Sequence, residues 1–254
     1  VKKKSAPLIV LLLFTAFFAS APARADGPPP VQDVPDLNYV NVLHALMHLG
    51  KFKTDGVEYL DAYSMTAHCD VVKGSYTNEF RWNEAREAIK KWIALKGPHL
   101  PTRLGVRSQI MFSRYDVPSK YYLFSEETPI RKINTFNTNT RPNVAPCDKP
   151  AVQLLPNKFE VITNNPLTLP GLRLSEDQAK DLYQKFEQSG NTHKVAYIRF
   201  NIDILDSDYL GPSFFGRKGQ SVSDPTWKVK ATLNSVEFFS DPEYHNRFYY
   251  FVPF

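Results

Sequence analysis

The chain has little cysteine, little net charge once its first residues are set aside, and no long apolar run beyond them. Two cysteines in 254 residues are too few for a disulfide-stapled mini-protein, and without a Cys-x-x-Cys pair there is no basis for a thioredoxin-like exchange site. No Asn-x-Ser/Thr sequon, no Gly-x-Ser-x-Gly nucleophile turn and no Ser-x-x-Lys set occurs. The formal charge of +5 suggests a basic protein, but four of the 31 basic residues, Lys2, Lys3, Lys4 and Arg24, fall in the first 25 positions, where there is no acid. The remaining 27 face 26 acidic residues, too even a balance to give a phosphate backbone an electrostatic footprint, so no nucleic-acid partner is expected.

What is present begins with a leader. Lys2 to Lys4, an apolar run from Leu8 to Ala19 and the small-residue end Ala23-Arg24-Ala25 have the layout of a secretory signal peptide cleaved after Ala25. The apolar run is well short of the roughly 20 residues a permanent span requires, so no transmembrane segment is expected after leader cleavage. The first cysteine, Cys69, lies far from the cleavage point, which argues against a lipoprotein, and the leader carries lysines rather than paired arginines. The expected location is the periplasm or the medium of a bacterium. In such an oxidising space Cys69 and Cys147 are expected to pair, closing a loop worth about 4.5 kcal/mol by chain entropy.

Residues 26–35 read as a proline-rich tether, and 36–254 as a single domain. Helical spacing predicts one helix capped by Asp36 and stopped by Gly50, a second along Val57, Leu60, Ser64, His68 and Val71, and a third from Asn83 to about Leu95. The period then changes to two. Strands are expected at Leu104–Phe112 and Lys120–Phe124, followed by a long irregular segment near 125–171 that holds seven of the 20 prolines and is broken only by a short strand at Phe159–Thr163. Ser175 opens a helix with Leu182, Tyr183 and Phe186 inward, and Ser189-Gly190 ends it. Strands follow at Ala196–Ile204, from Trp227 through Leu233, and at Arg247–Val252. The expected fold is α+β, a mainly antiparallel sheet with helices packed on one face. Helix, strand, strand recurs at 83–124 and 175–239, the order a weak internal α-β-β duplication would leave.

His44-Ala-Leu-Met-His48 places two imidazoles one helical turn apart, the spacing of a two-His metal clamp, but without the glutamate of His-Glu-x-x-His. His68 and Asp70 could extend the set only if the first two helices pack with those ends together. Asn201, Asp203, Asp206 and Asp208 crowd hard oxygen donors into eight residues, yet numbering from Asp206 puts Leu210 and Arg217 at ligand positions of an EF-hand loop. The run Gly211 to Lys218 has phosphate-loop glycine spacing but offers Arg217-Lys218 where lysine and a hydroxyl are needed. The aromatic end, Arg247 to Phe254, resembles the final strand of an outer-membrane barrel, but Pro253 and the predicted helices oppose that reading and favour an edge strand.

No cofactor, metal or catalytic residue is therefore expected. Paired aromatics such as Tyr121-Tyr122, Phe214-Phe215, Phe238-Phe239 and Tyr249-Tyr250 put one ring of each pair outward on a strand, which suits contact with protein or carbohydrate. The function expected is a non-catalytic binding module of the bacterial envelope whose partner is another envelope protein or a surface polymer. The alternative is a secreted hydrolase, metal-dependent if His44, His48 and His68 converge.

Overall fold

The structure, a computed structural model, describes residues 29–128, 130–141, 147, 154–207 and 226–253. The leader, the first three tether residues, Asp208, Phe214-Phe215 and the loop 211–218 lie outside the described residues. The chain divides into a unit 1–30, of which only Pro29 and Pro30 are described, and a unit 31–254 that holds all the elements below.

Four helices come first: α1 Tyr39–His48, α2 Val57–Ala67, α3 Cys69–Ser75 and α4 Glu79–Lys96, the last followed by a 3-10 turn at Gly97–His99. Asn38, not Asp36, caps α1, its side-chain oxygen accepting from Asn41 N–H. Asp36 instead pairs with Arg107 at 3.0 Å. Gly50 ends the helix as its sequence position suggested, with φ +66°, a left-handed conformation that glycine adopts without a Cβ clash. The second predicted helix is two. At His68 (φ −133°, ψ 44°) the chain leaves α2 and restarts as α3, leaving Val57 and Val71 exposed while every residue from Leu60 to Thr66 is buried. Asn78, five residues before the expected cap, starts α4 by accepting from Phe80 and Arg81 N–H. Arg86 of α4 reaches back to the buried Asp61 on α2 at 2.7 and 2.5 Å and lies 5.2 Å over the Trp82 ring. Cys69 and Cys147 are bonded, Cα atoms 5.8 Å apart, pinning the start of α3 to the segment beyond the third strand.

Among the described residues eight strands follow: β1 Arg103–Asp116, β2 Tyr121–Phe124, β3 Ile130–Asn137, β4 Lys158–Leu169, β5 Gly171–Arg173, β6 Val195–Ser207, β7 Thr226–Phe239 and β8 Arg247–Phe251, with α5 Glu176–Gln188 between β5 and β6. They form one sheet in the order β3-β4-β7-β6-β1-β2-β5, antiparallel except for β4 beside β7, and β8 pairs with the far half of β7 on the side that β4 occupies. The fold is α+β, as composition and periodicity indicated. The segment near 125–171 is the main departure: β3 and β4 occupy much of it, and of its described prolines Pro156 precedes β4, Pro170 separates β4 from β5 and Pro166 falls at an irregular stretch of β3–β4 pairing.

Alternation decides what the sheet covers. Ile198, Phe200, Ile202 and Ile204 of β6 pair across to Phe238, Val236, Leu233 and Ala231 of β7 on one apolar face, each buried and contributing about 1.5–3 kcal/mol for the larger side chains. Helix α1 lies on this face, with Tyr39 against Phe159 and its hydroxyl donating to the Pro156 carbonyl. Helix α5, amphipathic through Ala179, Leu182 and Phe186, packs Phe186 against Phe112; Tyr183, expected inward, is exposed because it falls about 100° round the helix from Leu182. The sheet curls. Phe124 of β2 stacks on Phe238 of β7, 6.0 Å between centroids, although β1 and β6 lie between their strands.

The recurring helix-strand-strand order appears as α4-β1-β2 and α5-β6-β7, but α4 packs on α2 and α3 whereas α5 packs on the sheet. Among the described residues no helix is long and apolar enough to cross a membrane. The tether docks earlier than expected: Val34 is buried, and Pro35 and Leu37 exchange backbone hydrogen bonds with Gly105 on the edge of β1 that β2 leaves open.

Candidate functional site

Where the curl brings the β2–β5 end towards β8, α5 fills the space between them and leaves a cleft of about 550 Å³. Leu174, Leu182 and Phe248 give it apolar wall, and Gln178, Lys185 and Arg247 give it polar wall. Local chemistry fixes both sides. Ser175 and Gln178 form a reciprocal capping box that sets the start of α5, and Glu176 and Asp177 lie at its positive end. Opposite, Asp241 accepts from the backbone N–H groups of His245 and Asn246, which folds the β7–β8 turn and delivers Arg247 and Phe248 to the cleft. These bonds outweigh burial and hold the Asp241 carboxyl below the ordinary carboxylate range.

The side chain of Arg247 is not a loose surface cation. Its side chain is only 7% exposed; one nitrogen donates to Glu237 Oε1 at 2.6 Å, and its guanidinium lies 5.2 Å over the Tyr250 ring. Glu237 Oε2 accepts two hydrogen bonds from Arg199, at 2.8 and 2.6 Å, and one from Asn201 at 2.8 Å. Asn201 also donates to Ser235, and Arg199 lies over the Phe239 ring. Burial pushes the Glu237 carboxyl up, but the bonds from Asn201, Arg247 and Arg199 prevail and hold it below its ordinary value. The result is a charged network on the second face of the sheet, roofed in part by Val34, which approaches Gly105 and the Arg199 stem.

A second cluster lies among the helices. His44 Nε2 is 3.0 Å from the Tyr63 hydroxyl, and the rings of His44 and His68 both pack on Tyr63 and on Trp92, with centroids 5.3–6.0 Å apart. Burial, then the charge of His68, brings His44 down to about 4. Burial also lowers His68 against the opposing pull of Asp70, and raises the Tyr63 hydroxyl above its ordinary value. The cluster therefore holds neutral imidazoles and a neutral phenol at pH 7. His48 is exposed, one turn further along α1, and does not join it.

The oxygen-rich run on β6 is spent on pairing. Asp203 takes Arg103 at 2.6 and 3.0 Å and Asn234 at 2.9 Å, Asp206 takes Lys51 at 2.9 Å, and Asn201 belongs to the Glu237 network. Among the described residues no group of three or more His, Cys, Asp or Glu side chains is placed to hold a metal ion. Sequence reading missed Arg199, Glu237 and Arg247. The signal was there for the first two: each interrupts an otherwise apolar stretch, Ile198-Arg199-Phe200 and Val236-Glu237-Phe238, and a charge inside a central strand needs a partner on the neighbouring strand. Comparison of the chain with protein-family models, with curated proteins and with solved structures gives no match in any of the three.

Proposed function

We propose that the protein is an exported envelope protein of a bacterium, acting as a non-catalytic binding module whose ligand sits in the cleft between α5 and β8. The observation that carries this reading is the cleft itself, about 550 Å³ between α5 and the β7–β8 turn, which sets Leu174, Leu182 and Phe248 beside Gln178, Lys185 and Asn246. Glu237, with both oxygens occupied by donors, is poorly placed to move protons. Export rests on the leader and accords with the Cys69–Cys147 bond, since such bonds persist in oxidising compartments. The alternative of a metal-dependent secreted hydrolase on His44, His48 and His68 is disfavoured by the exposed His48, which stands apart from the other two rings.

The test is crosslinking in the native host from a photoreactive residue at position 185, on the cleft rim, with a control at position 80, where Phe80 is 81% exposed on α4. A reproducible adduct with an envelope component from 185 and not from 80 supports the module. Recovery of the chain without adduct from both positions contradicts it.

A further inference from the structure

Helix α4 packs one face on α2 and α3 and leaves the other uncovered, and the uncovered face is not uniformly polar. Trp82 and Ile89 are buried on the inner face, where Arg86 is tied to Asp61. On the outer face Phe80 is 81% exposed and Leu95 68%. At 100° per residue, Phe80, Glu84, Ala88, Lys91 and Leu95 fall within about 80° of arc, and all five are exposed. They make a stripe about 22 Å long that is apolar at both ends, with an acid next to the first end and a base next to the second.

This stripe is complementary to itself. Phe80 and Leu95 lie equally far from the midpoint between Glu87 and Ala88, and so do Glu84 and Lys91. A second copy turned end for end about that midpoint sets its Leu95 opposite Phe80 and its Lys91 opposite Glu84, and two-fold symmetry makes each contact twice. A parallel pairing would instead bring Glu84 onto Glu84 and Lys91 onto Lys91, which like charge disfavours. Neither Glu84 nor Lys91 forms an ion pair among the described residues, so both charges are available. Glu87, beside the midpoint, already pairs with Lys90 at 2.6 Å and brings no unbalanced charge to the centre. We propose that the protein self-associates as a two-fold symmetric dimer through antiparallel packing of α4 on α4. The matched spacing of apolar and charged positions is what selects a second copy, since an unrelated partner does not require it. One helix face on another covers less than the roughly 1,200 Å² at which stable interfaces begin, so the dimer is reversible, with a Kd of about 10–100 µM. Helix α4 contributes nothing to the lining of the cleft, and the dimer does not depend on the ligand reading.

Sedimentation velocity of the protein purified from its host, from about 5 to 500 µM, tests the pairing. The sedimentation coefficient is expected to rise with concentration, less so in high salt. Glu84→Lys and Lys91→Glu, each alone, are expected to weaken association about tenfold or more by setting like charges opposite each other at both rims. An equimolar mixture of the two variants is expected to regain association, because every rim then pairs opposite charges. Phe80→Ser is expected to weaken it about tenfold as well. All three positions are exposed, so the far-UV circular dichroism of the parent should be kept. A monomer at every concentration, association indifferent to both charge reversals, or a mixture no better than its components overturns the proposal. A photoreactive residue at position 80 is expected to join the chain to itself, an adduct distinct in mass from an envelope component captured at position 185.

Discussion

Glu237 is the counter-ion for two buried guanidiniums, so its loss is costlier than the loss of an exposed acid. In Glu237→Gln, Arg199 and Arg247 stay 2% and 7% exposed with no carboxylate between them, and the expected cost is about 3–5 kcal/mol in urea unfolding. Asp181→Asn, at an exposed helix pair, should cost no more than about 0.5 kcal/mol by the same measurement. His44 sets a pH dependence of definite sign. Its folded pKa of about 4 lies below the 6.5 of an unfolded histidine, so the unfolded chain takes up the proton first. The stability it contributes is whole above about pH 6.5 and is lost as the pH falls from there towards about 4. Urea midpoints measured at pH 7, 5.5 and 4 should therefore fall, and His44→Leu should flatten that slope; an unchanged slope would mean that the ring is solvated.

Two pairings hold distant parts of the chain together. Gly171 lies where β5 meets β2, and a Cβ there would stand 2.2 Å from the Tyr122 carbonyl oxygen, a backbone atom that cannot swing aside. Gly171→Ala is expected to cost at least about 2 kcal/mol and to raise amide exchange at Tyr121–Leu123. The Cys69–Cys147 bond spans a sequence separation of 78, and Cys69→Ala with Cys147→Ala should lower stability by up to about 4.5 kcal/mol, read as a fall in Tm that reducing agent reproduces in the parent. Such features divide what the sequence reveals from what it hides. Capping chemistry and strict alternation are local, which is why α5 and β6 were legible almost to their ends. The β3–β4 pair was not, because Pro166 and its asparagines look like loop until the partner strand is known, and the break at His68 was not, because α2 is buried on all sides and has no stripe to mark its end.

The cleft shows the same division across the fold as a whole. Its lining comes from the end of β5, from α5, from the β7–β8 turn and from β8, stretches that meet only because the sheet curls. No local pattern encodes that curl, so the aromatic C-terminal strand was legible as an edge while the site beside it was not. The histidines teach the converse: spacing along α1 paired His44 with His48, but helix packing pairs His44 with His68 through Tyr63 and Trp92. On the function proposed, the seam between α5 and β8, not the histidine cluster, is where the protein meets its ligand. Hydrogen–deuterium exchange of the full protein with and without isolated cell-envelope fragments tests it directly. Protection confined to 174–188 and 240–251 is the predicted result; protection at 39–76 with none at the seam, or no protection anywhere, would contradict it.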